Sequence, residues 1–196
     1  MDRLVPVLSD RVRPLLDRPY AFYGHSLGGK LAFETARNLR RSGGQPPVHL
    51  FVAACPAPQI PWLHPLMHIL QEREFLEEVS RRYGGVPQQV VEDPELRALF
   101  LPQLRADVTL LETYRYLAEE PLDCGITAFG GVDDRLATHS QLDPWRLQTR
   151  RSFRKQMLQA GHFFTPAAQT EVIRAISAEL AQLQDLSPVP LRAHHL

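Results

Sequence analysis

One hydroxyl among glycines is the arrangement in this chain best suited to covalent chemistry. In Gly24-His25-Ser26-Leu27-Gly28, the centre of YGHSLGG, the serine occupies the middle of a G-x-S-x-G pattern. That spacing suits a sharp strand-to-helix turn whose strained backbone lifts the hydroxyl above a sheet, with the flanking glycines removing Cβ atoms that would clash. The amide of Leu27, directly after the serine, would then lie at a free helix N-terminus and donate to a developing oxyanion. A serine alone is a poor nucleophile at neutral pH. It needs a histidine base oriented by a carboxylate, in the chain order serine, acid, histidine. Asp133 and Asp134 follow the run CGITAFGG, and His162 stands in AGHFF after SFRKQMLQA, so candidates occur in that order.

Spacing alone leaves the choice of acid open, because adjacent residues at a turn point in different directions. Asp133 is favoured as the earlier acid after Gly130-Gly131, whereas Asp134 beside Arg135 fits a local surface ion pair. Without Ser26 and His162, plain turn chemistry would explain the Asp-Asp pair. The remaining histidines are weaker bases. The elbow would direct His25 elsewhere, His139 is too near the acid in sequence, and His194-His195 lie in a tail. His64 and His68 have helical i, i+4 spacing, but Pro65 intervenes and no glutamate sits between them as in a zinc protease helix. Lid or surface packing explains that pair better. No Walker-type loop or dinucleotide fingerprint occurs, and neither metal nor cofactor is expected.

These residues require strands to hold them. YAFY, residues 20 to 23, is short, aromatic and continuous, as a strand buried on both faces should be. LAFETARNLRRSGG then repeats apolar residues on one helical face and ends in cations and glycines. VHLFVAA (48 to 54), CGITAFGG (124 to 131) and SFRKQMLQA read as further strands. SQLDPWRLQTR and PAAQTEVIRAISAELAQL read as helices after the third and fourth of these strands, and residues 3 to 17 as a helix weakened by Pro6 and Pro14. Residues 59 to 120 contain no comparable strand. They read as helices FLEEVSRRY, VPQQVVED and ELRALFLPQLRADVTLLETYRYL, interrupted by Gly84-Gly85, Pro87 and Pro102. The alternation specifies an α/β fold, a mostly parallel sheet with helices on both faces.

The whole chain narrows the function classes. Its 196 residues are 44% hydrophobic, enough for one domain with a real core, expected over 1–185 with a tail over 186–196. Basic and acidic residues balance at 22 each, so no charge footprint points to nucleic acid or to an anionic membrane. No apolar run reaches spanning length and the N-terminus lacks signal-peptide character, so a cytoplasmic protein is expected. Cys55 and Cys124 border apolar strands and read as reduced core thiols.

Taken together, PYAFYGHSLGG, LRADVTLLETYRY, LDCGITAFGGVDD and AGHFF resemble the type II thioesterases, the stand-alone α/β-hydrolases that accompany polyketide, nonribosomal peptide and fatty-acid synthases. The likeness runs from about Leu4 to Leu180. Many hydrolases share the elbow, whereas the segment around Pro102, Arg105, Asp107 and Tyr114 is more particular to this family. Ala54-Cys55-Pro56-Ala57-Pro58 departs from it, since relatives more often carry a basic turn there.

The resemblance implies Ser26 as nucleophile, Asp133 as orienting acid, His162 as general base and residues 59–120 as a helical lid insertion. It also implies hydrolysis of acyl thioesters on the phosphopantetheine arm of an acyl or peptidyl carrier protein. Lid positions Phe75, Leu99, Phe100, Leu110 and Leu111 would be divided between lid packing and an acyl channel. Two rivals are a generic carboxylesterase or lipase on the same scaffold and a non-catalytic carrier-protein-binding remnant. The elbow normally follows several earlier strands, but only one helix precedes it here. The N-terminal strands, and the loop with a second oxyanion amide, are therefore expected to be missing, with YAFY at an open sheet edge.

Overall fold

Among the described residues of the computed structural model, 1–84 and 86–185, four parallel strands lie side by side in chain order. They are β1 (Ala21–His25), β2 (His49–Ala53), β3 (Gly125–Gly131) and β4 (Phe153–Leu158). The tail expected over 186–196 lies outside the described residues. The ends of β1, β3 and β4 each carry one ingredient of the expected site, because a parallel sheet delivers all its C-terminal ends to the same edge. The register aligns Gly24 with Val52, Val52 with Ala128 and Ala128 with Lys155.

Every residue of β2 and β3 is buried, which accounts for their largely apolar sequences; the polar exceptions, His49 and Thr127, hydrogen-bond to each other. Leu50, Val52, Ile126 and Ala128 face one layer with Phe33 and Trp145. Phe51, Ala53 and Phe129 face the other, against Phe164, Ala168 and Val172. Phe33 comes from α2 (Leu27–Arg41), and Ala168 and Val172 come from α7 (Pro166–Asp185). β1 departs from the two-sided burial read from the apolarity of YAFY and takes the edge position expected when no earlier strand lies beside it. It pairs with β2 alone among the described residues, and Tyr23 is 48% exposed. Continuous apolarity identifies a strand but carries no information about how many neighbours flank it.

Ahead of β1, α1 (Leu4–Val12) gives way to a single 3-10 turn at Arg13–Leu15, where Pro14 cannot donate to the α-helical ladder. Asn38 of α2 donates to the Ser9 hydroxyl and fastens α1 to the layer. The C-terminus of α2 closes as its sequence predicts, with Arg40 and Arg41 in the last turn and Gly43 left-handed at φ 73°.

Between β2 and β3 run α3 (Glu72–Tyr83), α4 (Gln88–Glu92) and α5 (Pro94–Glu112). Met67, Phe75, Leu76, Val79 and Val108 form their own apolar cluster. Pro102 does not interrupt α5, as its sequence suggested, but lies inside it on an exposed face. A single lost backbone bond is tolerable where the neighbouring turns are packed. The helix also stops at Glu112 rather than continuing through TYRYL. Arg37 and Arg40 of α2 claim the carbonyls of Leu117, Glu120 and Pro121, which an extended chain can present and a helix cannot. A short α6 (His139–Leu142) and a 3-10 stretch, Asp143–Gln148, stand where one helix was read.

Candidate active site

The chain passes from β1 to α2 through Ser26 alone, at φ 52° and ψ −116°. An L-residue adopts this conformation only where its surroundings impose it. The Ser26 amide donates to Ala53 of β2 at 2.8 Å, and its carbonyl accepts from Gly29 at 3.0 Å. A Cβ on Gly24 would lie 2.1 Å from the Gly28 carbonyl oxygen, so glycine is compulsory there. The expected clash at Gly28 does not exist, since a Cβ there would meet nothing within 4 Å. Gly24→Ala should therefore cost about 1–3 kcal/mol or more through overpacking, while Gly28→Ala should be neutral or gain up to about 1 kcal/mol of helix propensity. Thermal melts of the two variants check this, and equal losses would contradict it.

After β3 the turn is set by backbone bonds to the end of β4. Val132 donates to Leu158 and Asp133 to Ala160, and Asp134 closes back onto Gly131. A Cβ on Gly131 would stand 2.2 Å from the Ala160 carbonyl oxygen, so only glycine lets the two loops approach this closely. The turn leaves Asp133 exposed and aims Asp134, 5% exposed, inward. Asp134 Oδ2 accepts from His162 Nδ1 at 3.0 Å, and His162 Nε2 is 3.1 Å from Ser26 Oγ. The preference for Asp133 is thus corrected: Asp134 faces the histidine. Its Oδ1 is also engaged, accepting from the amides of Leu136 at 2.8 Å and Ala137 at 3.1 Å.

Burial pushes the Asp134 carboxyl upward, but the hydrogen bond and charge of His162, with these two amides, outweigh it and hold the group below its ordinary 3.8. A carboxyl depressed on folding contributes stability above its unfolded value, and that contribution disappears as pH falls through the lower folded value. Asp134→Asn should therefore lose less stability than the unmodified chain between pH 6 and pH 3. Urea midpoints at the two pH values measure the difference, and identical losses would contradict the sign.

Two supports of His162 escaped the sequence reading. His25, beside the serine, donates from Nε2 to the His162 carbonyl oxygen at 2.9 Å, and its ring lies edge-on to Phe164 at 5.0 Å. Burial lowers its pKa and favours the neutral ring. Tyr83, at the end of α3, packs edge-on against the His162 ring at 5.0 Å. Position next to Ser26 was the signal available for His25. Tyr83 had none, because only the path of α3 brings it there.

Ser26 and His162 open onto two clefts. One, of about 50 Å³, is lined by Lys30, Cys55, Pro56, Trp62 and Tyr114. The other, of about 230 Å³, has walls of Val79, Tyr83, Leu104 and Val108. Leu111 lines both, Phe75 is wholly buried in the helical cluster, and Leu99 and Phe100 are exposed. The Leu27 amide opens α2, where helix geometry leaves it without an intrahelical acceptor. His64 stands edge-on to Trp62 and His68 pairs with Glu112, so both take part in packing between β2 and β3. Cys55 and Cys124 are buried and unbridged. Among the described residues no group of three or more His, Cys, Asp or Glu could hold a metal ion, and no helix is long and apolar enough to cross a membrane.

Comparison with known proteins bears on this geometry. Residues 1–180 match the family model described as a thioesterase domain. The gramicidin S biosynthesis protein GrsT of Aneurinibacillus migulanus is 38% identical over 180 residues, 92% of this chain and 70% of its own length. RedJ, a thioesterase from the prodiginine biosynthetic pathway of Streptomyces coelicolor, superposes with a TM-score of 0.83 at 33% identity, covering 91% of this chain and 71% of that one. BorB, the type II thioesterase of the borrelidin biosynthetic cluster, gives a TM-score of 0.77 at 34% identity over 92% of this chain and 71% of its own.

Proposed function

Because the chain belongs to the thioesterase domain family, we propose that Ser26, His162 and Asp134 hydrolyse acyl groups held as thioesters on the phosphopantetheine arm of an acyl or peptidyl carrier protein. The observation that carries the reading is the unbroken relay from Ser26 Oγ through His162 to Asp134, with heavy-atom separations of 3.1 and 3.0 Å.

In the proposed reaction, Ser26 Oγ attacks the thioester carbonyl as His162 Nε2 takes its proton, and the carbonyl oxygen turns toward the Leu27 amide. Collapse of the tetrahedral intermediate breaks the carbon–sulfur bond, and the imidazolium returns the proton to the leaving thiolate. Water, deprotonated by the same histidine, then cleaves the acyl-enzyme and releases the carboxylic acid. Asp134 holds Nδ1 protonated throughout, leaving Nε2 free to accept. Residues 59–120 would act as the lid, since α3 and α5 supply Val79, Tyr83, Leu104 and Val108 to the larger cleft. The names of GrsT, RedJ and BorB, all from secondary-metabolite biosynthesis, support carrier-bound substrates.

Intact-mass spectrometry of an acyl-loaded carrier protein incubated with the enzyme tests the proposal. Loss of the acyl mass is expected. Faster cleavage of an oxygen ester of equal chain length would favour a general esterase instead.

A further inference from the structure

One turn beyond the serine, α2 carries Lys30, only 6% exposed and lining the smaller cleft beside Ser26 and His162. A buried ammonium normally has a carboxylate, and even the half-buried Lys155 has one in Asp143. Among the described ion pairs, none involves Lys30. Its Nζ lies 4.6 Å from the centroid of the Tyr114 ring and makes one long hydrogen bond, 3.5 Å, to the Pro56 carbonyl oxygen. Glu34, the acid one turn further along α2, is occupied: its Oε1 accepts from both Arg37 and the Tyr114 hydroxyl. Burial accordingly pushes the Lys30 pKa down. A second donor in the same wall has no acceptor at all. Trp62 lines this cleft, and its indole N–H is buried without an acceptor. A buried donor without an acceptor is uncommon, and next to a lysine held by one long hydrogen bond and beside a nucleophile it points to an acceptor that arrives with the substrate.

We propose that Lys30 is a specificity-determining residue, donating to an oxygen of the acyl group beyond the thioester carbonyl, so that the cleft selects acyl groups bearing a keto or carboxylate oxygen. This rests on the thioesterase reading of Ser26 and adds to it a preference that the catalytic relay alone does not confer. A purely structural lysine, propping Tyr114 and the turn at Pro56, would influence all substrates alike.

The test compares hydrolysis of butyryl-, acetoacetyl- and malonyl-pantetheine by the unmodified enzyme and by Lys30→Met. Loss of a hydrogen bond from a charged donor should cut kcat/KM for at least one oxygen-bearing substrate by about 10- to 100-fold, while butyryl changes by less than about threefold. A parallel fall on all three substrates, or unchanged selectivity, overturns the proposal. Should Lys30→Met fail to fold, Lys30→Gln and the unmodified enzyme decide: a tenfold or greater preference of the unmodified enzyme for butyryl over both other substrates overturns it as well. Absence of any hydrolysis, butyryl included, would instead count against the thioesterase reading.

Discussion

Replacing Ser26 by alanine should lower thioester turnover by about 10⁴-fold or more, while the protein remains folded. The size of the loss follows from what is removed. His162 Nε2 lies 3.1 Å from Ser26 Oγ, and without that oxygen no acyl-enzyme can form and the reaction reverts to direct attack by water. Folding should survive because the side chain makes no other contact that holds the elbow together. The Ser26 amide bond to Ala53 and its carbonyl bond from Gly29 are both backbone, and alanine keeps them. An acyl carrier protein should therefore retain its acyl mass with the variant and lose it with the unmodified enzyme. Equal turnover by the two forms would contradict the relay and favour a carrier-binding protein without catalysis.

The second large effect separates two neighbours. Asp134→Asn should reduce turnover by roughly 10⁴-fold, whereas Asp133→Asn should stay within about threefold, as surface substitutions do. Asparagine fits the space, and its carbonyl oxygen can still accept from Leu136 and Ala137. Its amide group would then face His162 Nδ1 as a donor in place of an acceptor. The imidazole would carry its proton on Nε2, which could no longer accept from Ser26. Asp133 is exposed and touches the relay only through its backbone, which its substitution leaves intact. Steady-state rates of both variants decide the matter, and a larger loss at position 133 would reverse the assignment.

Much of this was legible before any coordinates. Periodicity and glycine placement located all four strands and the helix after the serine, because a buried strand and an amphipathic helix each impose their own repeat on apolar residues. G-x-S-x-G between such elements, followed by a histidine after the last strand, singled out Ser26 and His162, which the fold brings to 3.1 Å, since the chemistry demands those residue types at strand ends. Spacing could not choose between Asp133 and Asp134. That choice rests on the bonds from Val132 and Asp133 to the end of β4, which orient the turn and exist only once two strands 20 residues or more apart in sequence are adjacent. The same holds for the end of α5 at Glu112 against the arginines of α2, and for the burial of Lys30 without a carboxylate in an ion pair. Residue type and local repeat determine which elements form and which groups can react. Which of two adjacent carboxylates meets the histidine, and which buried cation is left without an ion pair, is decided by contacts between segments distant in the chain.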